Sequence, residues 1–115
     1  MKGDFEYFIR EFKRSYPWVE YVAVVEPDGM VLAGELPEDV SVDDVVSTGS
    51  AFLSVASKLS NMLKMGKIMV SVVESADGTI IASSAGDERA VIALTKEKPS
   101  LTAMAVKKLA LELTR

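Results

Sequence analysis

Hydrophobic positions along this chain switch between a three-four spacing and near-continuous short runs, and the switches outline the elements. From Asp4 to Tyr16, Phe5, Phe8, Ile9 and Phe12 recur at helical spacing with Arg10, Lys13 and Arg14 on the other side, which predicts a helix. Asp4 stands where an N-cap would, the charges run from acidic to basic along the helix dipole, and Pro17 stops the helix. Tyr21–Glu26 and Met30–Gly34 read as strands joined by Pro27-Asp28-Gly29. Proline presets φ and glycine accepts a positive φ, so this link is a tight hairpin. After a polar loop holding Pro37, the stretch Val42–Met65 keeps helical spacing without a proline. Ser41 followed by Asp44 resembles a capping box with Asp in place of Glu, and Gly66 stands as the C-cap. Lys67–Ser75, Thr79–Ser84 and Arg89–Thr95 read as three more strands, with turns at Ala76-Asp77-Gly78 and Gly86-Asp87-Glu88. Pro99 and Ser100 open a last helix that runs to about Leu113.

The strand runs carry a second message. Val22-Ala23-Val24-Val25, Ile68-Met69-Val70 with Val72-Val73, and Ala90-Val91-Ile92-Ala93-Leu94 are apolar without alternation. A sheet wet on one face would alternate every second residue, so helices are expected on both faces. Short hairpin links make the pairing antiparallel. The expected fold is α+β: a five-stranded antiparallel sheet with the long helix on one face and the N- and C-terminal helices on the other.

The long helix is the most informative element. At about 100° per residue its apolar side runs from Ala51 through Met62, Val55, Leu59, Phe52, Val45, Leu63, Ala56, Val42 and Leu53 to Val46. That arc spans roughly 220°, about twice what seating on one sheet needs. The remaining strip is small and nearly neutral: Ser47, Ser50, Ser54 and Ser57. With the terminal helices wanted on the opposite face, a second molecule is the expected cover for the surplus. Met62, Met65 and Met69 cluster where this helix ends, and methionine serves either as core filler or as an adaptable contact surface.

Composition narrows the function. At 115 residues the chain has room for one domain, residues 1–115. It has no Cys and no His, which removes disulfides, thiol nucleophiles, imidazole bases and Cys/His metal sites together. The formal charge of −4 argues against nucleic acid, and Lys107-Lys108, the one adjacent Lys pair, reads as a solvated helix face. No apolar run approaches the ~20 residues that span a bilayer. The start Met1-Lys2-Gly3-Asp4-Phe5-Glu6 is acidic where a leader needs an apolar stretch, so a cytoplasmic chain is expected. The absence of Gln, the single Asn61 and the Lys/Glu-dominated charges match chains from very hot environments, with six methionines weighing against that match.

Candidate chemistry is sparse. Asp28, Asp77 and Asp87 each adjoin Gly or sit beside it in a turn, which is ordinary turn chemistry and not a divalent-cation set. Gly29, Gly78 and Gly86 lack the Gly-Lys-Ser/Thr of a phosphate loop, so no nucleotide, metal or other cofactor is expected. Of Arg10, Arg14, Arg89 and Arg115, only Arg89 lies near a turn, and an ion-pairing role is expected of it over an arginine finger. Trp18 and Tyr21 are expected to pack the first helix onto the sheet. Without a nucleophile–base pair the chain is not expected to be an enzyme.

The order and spacing of these elements resemble the roadblock (dynein light chain, LC7-type) family. The resemblance is carried by Tyr21-Val22-Ala23-Val24-Val25-Glu26-Pro27-Asp28-Gly29-Met30-Val31-Leu32-Ala33, the small-residue-rich long helix, the strand Ile68–Glu74 and Ala90-Val91-Ile92-Ala93-Leu94-Thr95. It implies homodimers or heterodimers in which the long helix and the next strand join two five-stranded sheets into one. It implies that Thr48, Ala51, Phe52, Val55, Leu59, Met62 and Met65 lie at the dimer interface. From the following strand, Ile68, Met69, Val70 and Val72 would join them. It also implies work as a regulator or scaffold of a Ras-like small GTPase or a GTPase-containing complex, with neither nucleic acid nor membrane insertion involved. The alternative is a small-molecule-sensing α/β domain of profilin-like or PAS-like shape, with its pocket between sheet and helix.

Overall fold

In the computed structural model, which describes residues 2–86 and 89–114, the order is α1 (Lys2–Ser15), β1 (Val19–Val25), β2 (Val31–Glu35), α2 (Val42–Met62), β3 (Ser71–Ser75), β4 (Gly78–Ala85), β5 (Arg89–Thr95) and α3 (Pro99–Thr114). The strands form one antiparallel sheet in the order β2-β1-β5-β4-β3. The hairpin links foretold three of the four pairings. The fourth, β1 with β5, is long-range and makes these two the centre of the sheet.

Pleating sends alternate β1 residues to opposite faces, and both faces are apolar. Val22 and Val24 face the layer of α1 and α3, where they meet Ile81, Val91 and Ala93 together with Phe5, Ile9 and Phe12 of α1 and Ala105, Val106 and Leu109 of α3. Ala23 and Val25 face the other way, onto Val46 of α2. The terminal helices therefore share one face and the long helix takes the other, as the two-sided strands required.

Element ends differ from the sequence expectation in three places. The first helix starts at Lys2, so Asp4 lies inside its first turn and acts on the helix dipole from there, not as the N-cap. The long helix stops at Met62, short of Met65 and Gly66. The strand expected from Lys67 begins only at Ser71; residues 67–70 approach the sheet without joining its ladder, and the Met69 carbonyl accepts a hydrogen bond from the Ser83 hydroxyl at 2.7 Å. Of the expected turn Gly86-Asp87-Glu88, Asp87 and Glu88 lie outside the described residues, as does Arg115.

Two glycines are needed where they stand. The Glu26 N–H donates to the Met30 carbonyl and the Gly29 N–H to the Glu26 carbonyl, closing the β1–β2 hairpin with Gly29 at φ +90. Gly34 sits in β2 at φ +77 so close to β1 that a Cβ would collide with the Val22 carbonyl. The Asp28 carboxylate accepts the Met30 N–H at 2.9 Å, the turn role expected of it.

Trp18 pins α3 as well as α1. Its Nε1–H donates to Thr102 Oγ1 at 2.9 Å, and that hydroxyl donates to the Lys98 carbonyl at 2.8 Å. The Lys98 ammonium sits 4.2 Å from the Trp18 ring centroid, and Tyr16 meets the indole edge-on. Thr102 is wholly buried, so the Trp18 donor has no water to fall back on through that side. Replacing the hydroxyl by a methyl in Thr102→Val should cost about 1–3 kcal/mol of unfolding free energy. Urea denaturation of the two proteins measures it, and equal midpoints would show the bond to be neutral.

Candidate interaction surface

Why α2 starts where it does is local. Ser41 is extended (φ −77, ψ 112) and its hydroxyl accepts the Asp44 N–H at 3.3 Å, while Asp43 and Asp44 add acid at the positive end of the helix. Its first turns rest on the sheet through Val46, with Val42, Val31, Leu36, Ala90 and Ile92 around it. Beyond Thr48 the helix stands off from the strands. A cleft of about 710 Å³ opens there, walled by Phe52 and Leu53 on the helix and by Val73, Ile80, Ala82 and Ile92 on the sheet. Val46 is the only α2 residue that is fully buried.

The over-wide apolar arc is thus real, and its surplus faces solvent. Thr48, Phe52, Val55, Leu59 and Met62 are all exposed, Val55 at 70% and Met62 at 71%. Their spacing is four, three, four, three, the repeat that keeps a seam facing a partner helix. The seam lies roughly 140° round the helix from the side that meets the sheet, at about 100° per residue. Ala51 is exposed beside it and Met65 just beyond it.

The seam continues into β3. This strand pairs only with β4 and so presents its other edge, with backbone donors and acceptors open. By register Val72 lies beside Ile81 on the α1/α3 side and Val73 beside Ile80 on the α2 side, and both valines are exposed. Met69 is exposed in the approach to the strand, whereas Ile68 and Val70 are half-buried, Val70 against the α1/α3 core. The alternative fold reading put a pocket between sheet and helix, where the cleft lies, but the standoff of α2 was not foreseen, since periodicity reports which residues are apolar and not how far a helix lies from its sheet.

Other candidates resolve as structural. Arg89 pairs with Glu26 at 3.3 Å and lies 5.2 Å over the Phe5 ring; Arg14 pairs with Glu11 at 3.0 Å. Among the described residues no group of acidic, His or Cys side chains could hold a metal, and no helix is long and apolar enough to cross a membrane. No buried side-chain polar atom among them lacks a hydrogen-bond partner. What the exposed side of α2 and the edge of β3 offer is a contiguous apolar contact surface.

Comparison with known proteins agrees with this geometry. The Roadblock/LC7 domain profile matches residues 9–96. Among solved structures, "MglB with tetrameric arrangement" superposes with a TM-score of 0.80 at 17% identity, over 98% of this chain and 87% of that one. Myxococcus xanthus MglB gives 0.79 at 12% identity, over 96% and 92%. A Roadblock/LC7 domain from Streptomyces avermitilis gives 0.75 at 15% identity, over 94% and 92%. At such identities the likeness is one of fold. No curated protein matches the sequence.

The end of α2 gives a stability test. Lys64 N–H donates to the Asn61 carbonyl and Met65 N–H to the Ser60 carbonyl, the paired bonds of a Schellman turn, with Lys64 at φ +60 in the left-handed position that glycine fills best. Lys64→Gly should raise stability by up to about 1 kcal/mol, the cost of holding a Cβ there. Thermal melts of both proteins at one concentration measure it; a lower melting temperature for the variant would show that the lysine is held there by contacts that outweigh the strain.

Proposed function

The chain belongs to the Roadblock/LC7 domain family, and on that premise we propose that it is a non-catalytic interaction module. It works in the cytoplasm as a homodimer that regulates or scaffolds a Ras-like small GTPase, or a complex containing one. The observation that carries the dimer is the exposed 4-3-4-3 seam of α2 running into the open edge of β3.

The seam suits a second copy of itself. An antiparallel pair about Val55 sets Val55 against its counterpart and Thr48 against Met62 of the other copy. Asp43 and Asp44 at the start of one helix then approach Lys64 and Lys67 beyond the end of the other, and the helix dipoles oppose. Antiparallel pairing of β3 with β3 would satisfy both open edges and give ten strands in one sheet. The GTPase half of the reading rests on family membership alone. Absence of His and Cys from the chain, and of any metal-holding acidic group among the described residues, supports a role without chemistry of its own.

The cleft under α2 favours a second reading, small-molecule sensing, by its volume. Among its charged lining groups Glu26 and Arg89 are spent on each other at 3.3 Å, and no buried side-chain polar atom among the described residues lacks a partner that a ligand would supply.

Sedimentation equilibrium over a wide concentration range should show a persistent dimer. Val55→Glu, placed at the two-fold, should give a folded monomer, because burying two facing carboxylates costs several kcal/mol. A wild-type monomer at every concentration would overturn the dimer. Pull-down with the host's Ras-like GTPases in both nucleotide states should retain at least one of them, and no binding in either state would sink that half.

A further inference from the structure

Methionine commonly fills gaps in cores, yet among the described residues no methionine is buried. The buried apolar side chains are Val, Ala, Ile, Leu and Phe. Met1 lies outside the described residues; the other five methionines, Met30, Met62, Met65, Met69 and Met104, are all exposed. Three of them gather at one corner. Met62 closes α2, Met65 follows the left-handed Lys64, and Met69 lies in the approach to β3. The Ser60 hydroxyl donates to the Gly66 carbonyl at 2.7 Å, which ties this corner back to the end of the helix. Met30, in the β1–β2 hairpin, and Met104, on α3, lie apart from it.

We propose that Met62, Met65 and Met69 form an oxidation site through which a peroxide-class oxidant opens the dimer. The inference rests on the dimer of the proposed function and adds a means by which it is taken apart.

Chemistry and position both favour these three. The chain has no Cys, so its thioethers are the softest nucleophiles that a peroxide meets. A thioether sulfur attacks one peroxide oxygen, the O–O bond breaks and an S–O bond forms. The departing hydroxide takes up the proton and leaves as water; sulfur loses two electrons and the peroxide gains them. The product sulfoxide is polar where the thioether was apolar. Met62 belongs to the seam with Val55 and Leu59, and Met65 and Met69 lie where that seam passes toward the β3 edge. Added oxygen there brings both bulk and an unwanted polar group into a packed contact, but costs nothing on a free monomer in water. Access follows from the same equilibrium. Covered in the dimer, Met62 meets oxidant in the free monomer, and its sulfoxide then holds the protein in that state. Sulfoxide reductases return each epimer to methionine, so the step is reversible.

The test treats wild-type protein with hydrogen peroxide, reads each site by peptide mass spectrometry and follows assembly by sedimentation equilibrium. The dimer dissociation constant should rise about tenfold or more on oxidation and return when methionine sulfoxide reductases restore the side chains. Oxidation of Met62 should slow as protein concentration is raised, while that of Met30 and Met104 should not. Met62→Leu/Met65→Leu/Met69→Leu, a near-isosteric change at exposed positions, should dimerise like wild type and keep its dimer through oxidation. Met30→Leu/Met104→Leu should lose its dimer as wild type does. A wild-type dimer that survives full conversion of the three sites overturns the inference and leaves the proposed dimer standing. So does treated protein in which Met30 and Met104 are converted and Met62 is not, and so does equal loss of the dimer in the triple leucine variant. Wild-type protein that is monomeric before oxidation overturns the inference together with the dimer on which it rests.

Discussion

Everything in this fold hangs on the pairing of β1 with β5. The two strands sit side by side at the centre of the sheet, and Val22, Ala23, Val24, Val91 and Ala93 have no accessible surface at all. Each such valine contributes about 1.5–3 kcal/mol by leaving water. The pairing also joins two locally formed pieces, the β1–β2 hairpin and the β3–β4–β5 meander, which are separated in sequence by the whole of α2. It has to close that long loop before its contacts offset the entropy lost. Once it closes, it creates both faces on which the helices pack.

Those two faces are not used alike. One is sealed by α1 and α3, whose Phe5, Phe12, Val106 and Leu109 interlock with the strands and whose ends are tied together through Trp18 and Thr102. The other is covered only where Val46 meets Ala23 and Val25. Along the rest of its length α2 stands away from the sheet, with Ile80 and Val73 bare beneath it and Val55, Leu59 and Met62 bare on its flank. Stability is thus concentrated in one layer, and contact surface in the other.

Much of this was legible in the sequence. The non-alternating runs Val22–Val25 and Ala90–Leu94 required cover on both faces, and the arc of α2 was too wide for one sheet; both hold. Residue type alone showed the width of the arc, while the choice of Thr48, Phe52, Val55, Leu59 and Met62 as one seam was what the family resemblance implied. The ends of elements were less legible. Nothing in the side chain of Lys64 announces a left-handed backbone, and the nearby Gly66 is the more natural stop signal. The apolar Ile68-Met69-Val70 reads as strand by composition, yet it lies outside the ladder, with the Met69 carbonyl accepting from the Ser83 hydroxyl. The standoff of α2 and the cleft beneath it depend on distances that no residue pattern encodes. On α3, Lys107 and Lys108 read as a solvated face and are exposed, whereas the exposure of Leu101, Met104 and Leu111 was not foreseen.

The two ends of the sheet are built differently, and the difference bears on how far strand addition can run. At β3 the edge is a short run with exposed valines. At β2 the left-handed Gly34 and the irregular register between Val24 and Val25 bend the outermost strand, and Glu35 adds a charge at its exposed end. A bent, charged margin is a poor template for further strands. Growth by edge pairing therefore has one open end per molecule, and two molecules joined there have none. Doubling of the sheet through β3, as proposed above, would leave only the bent, charged β2 margins at its ends, which disfavour further strand addition.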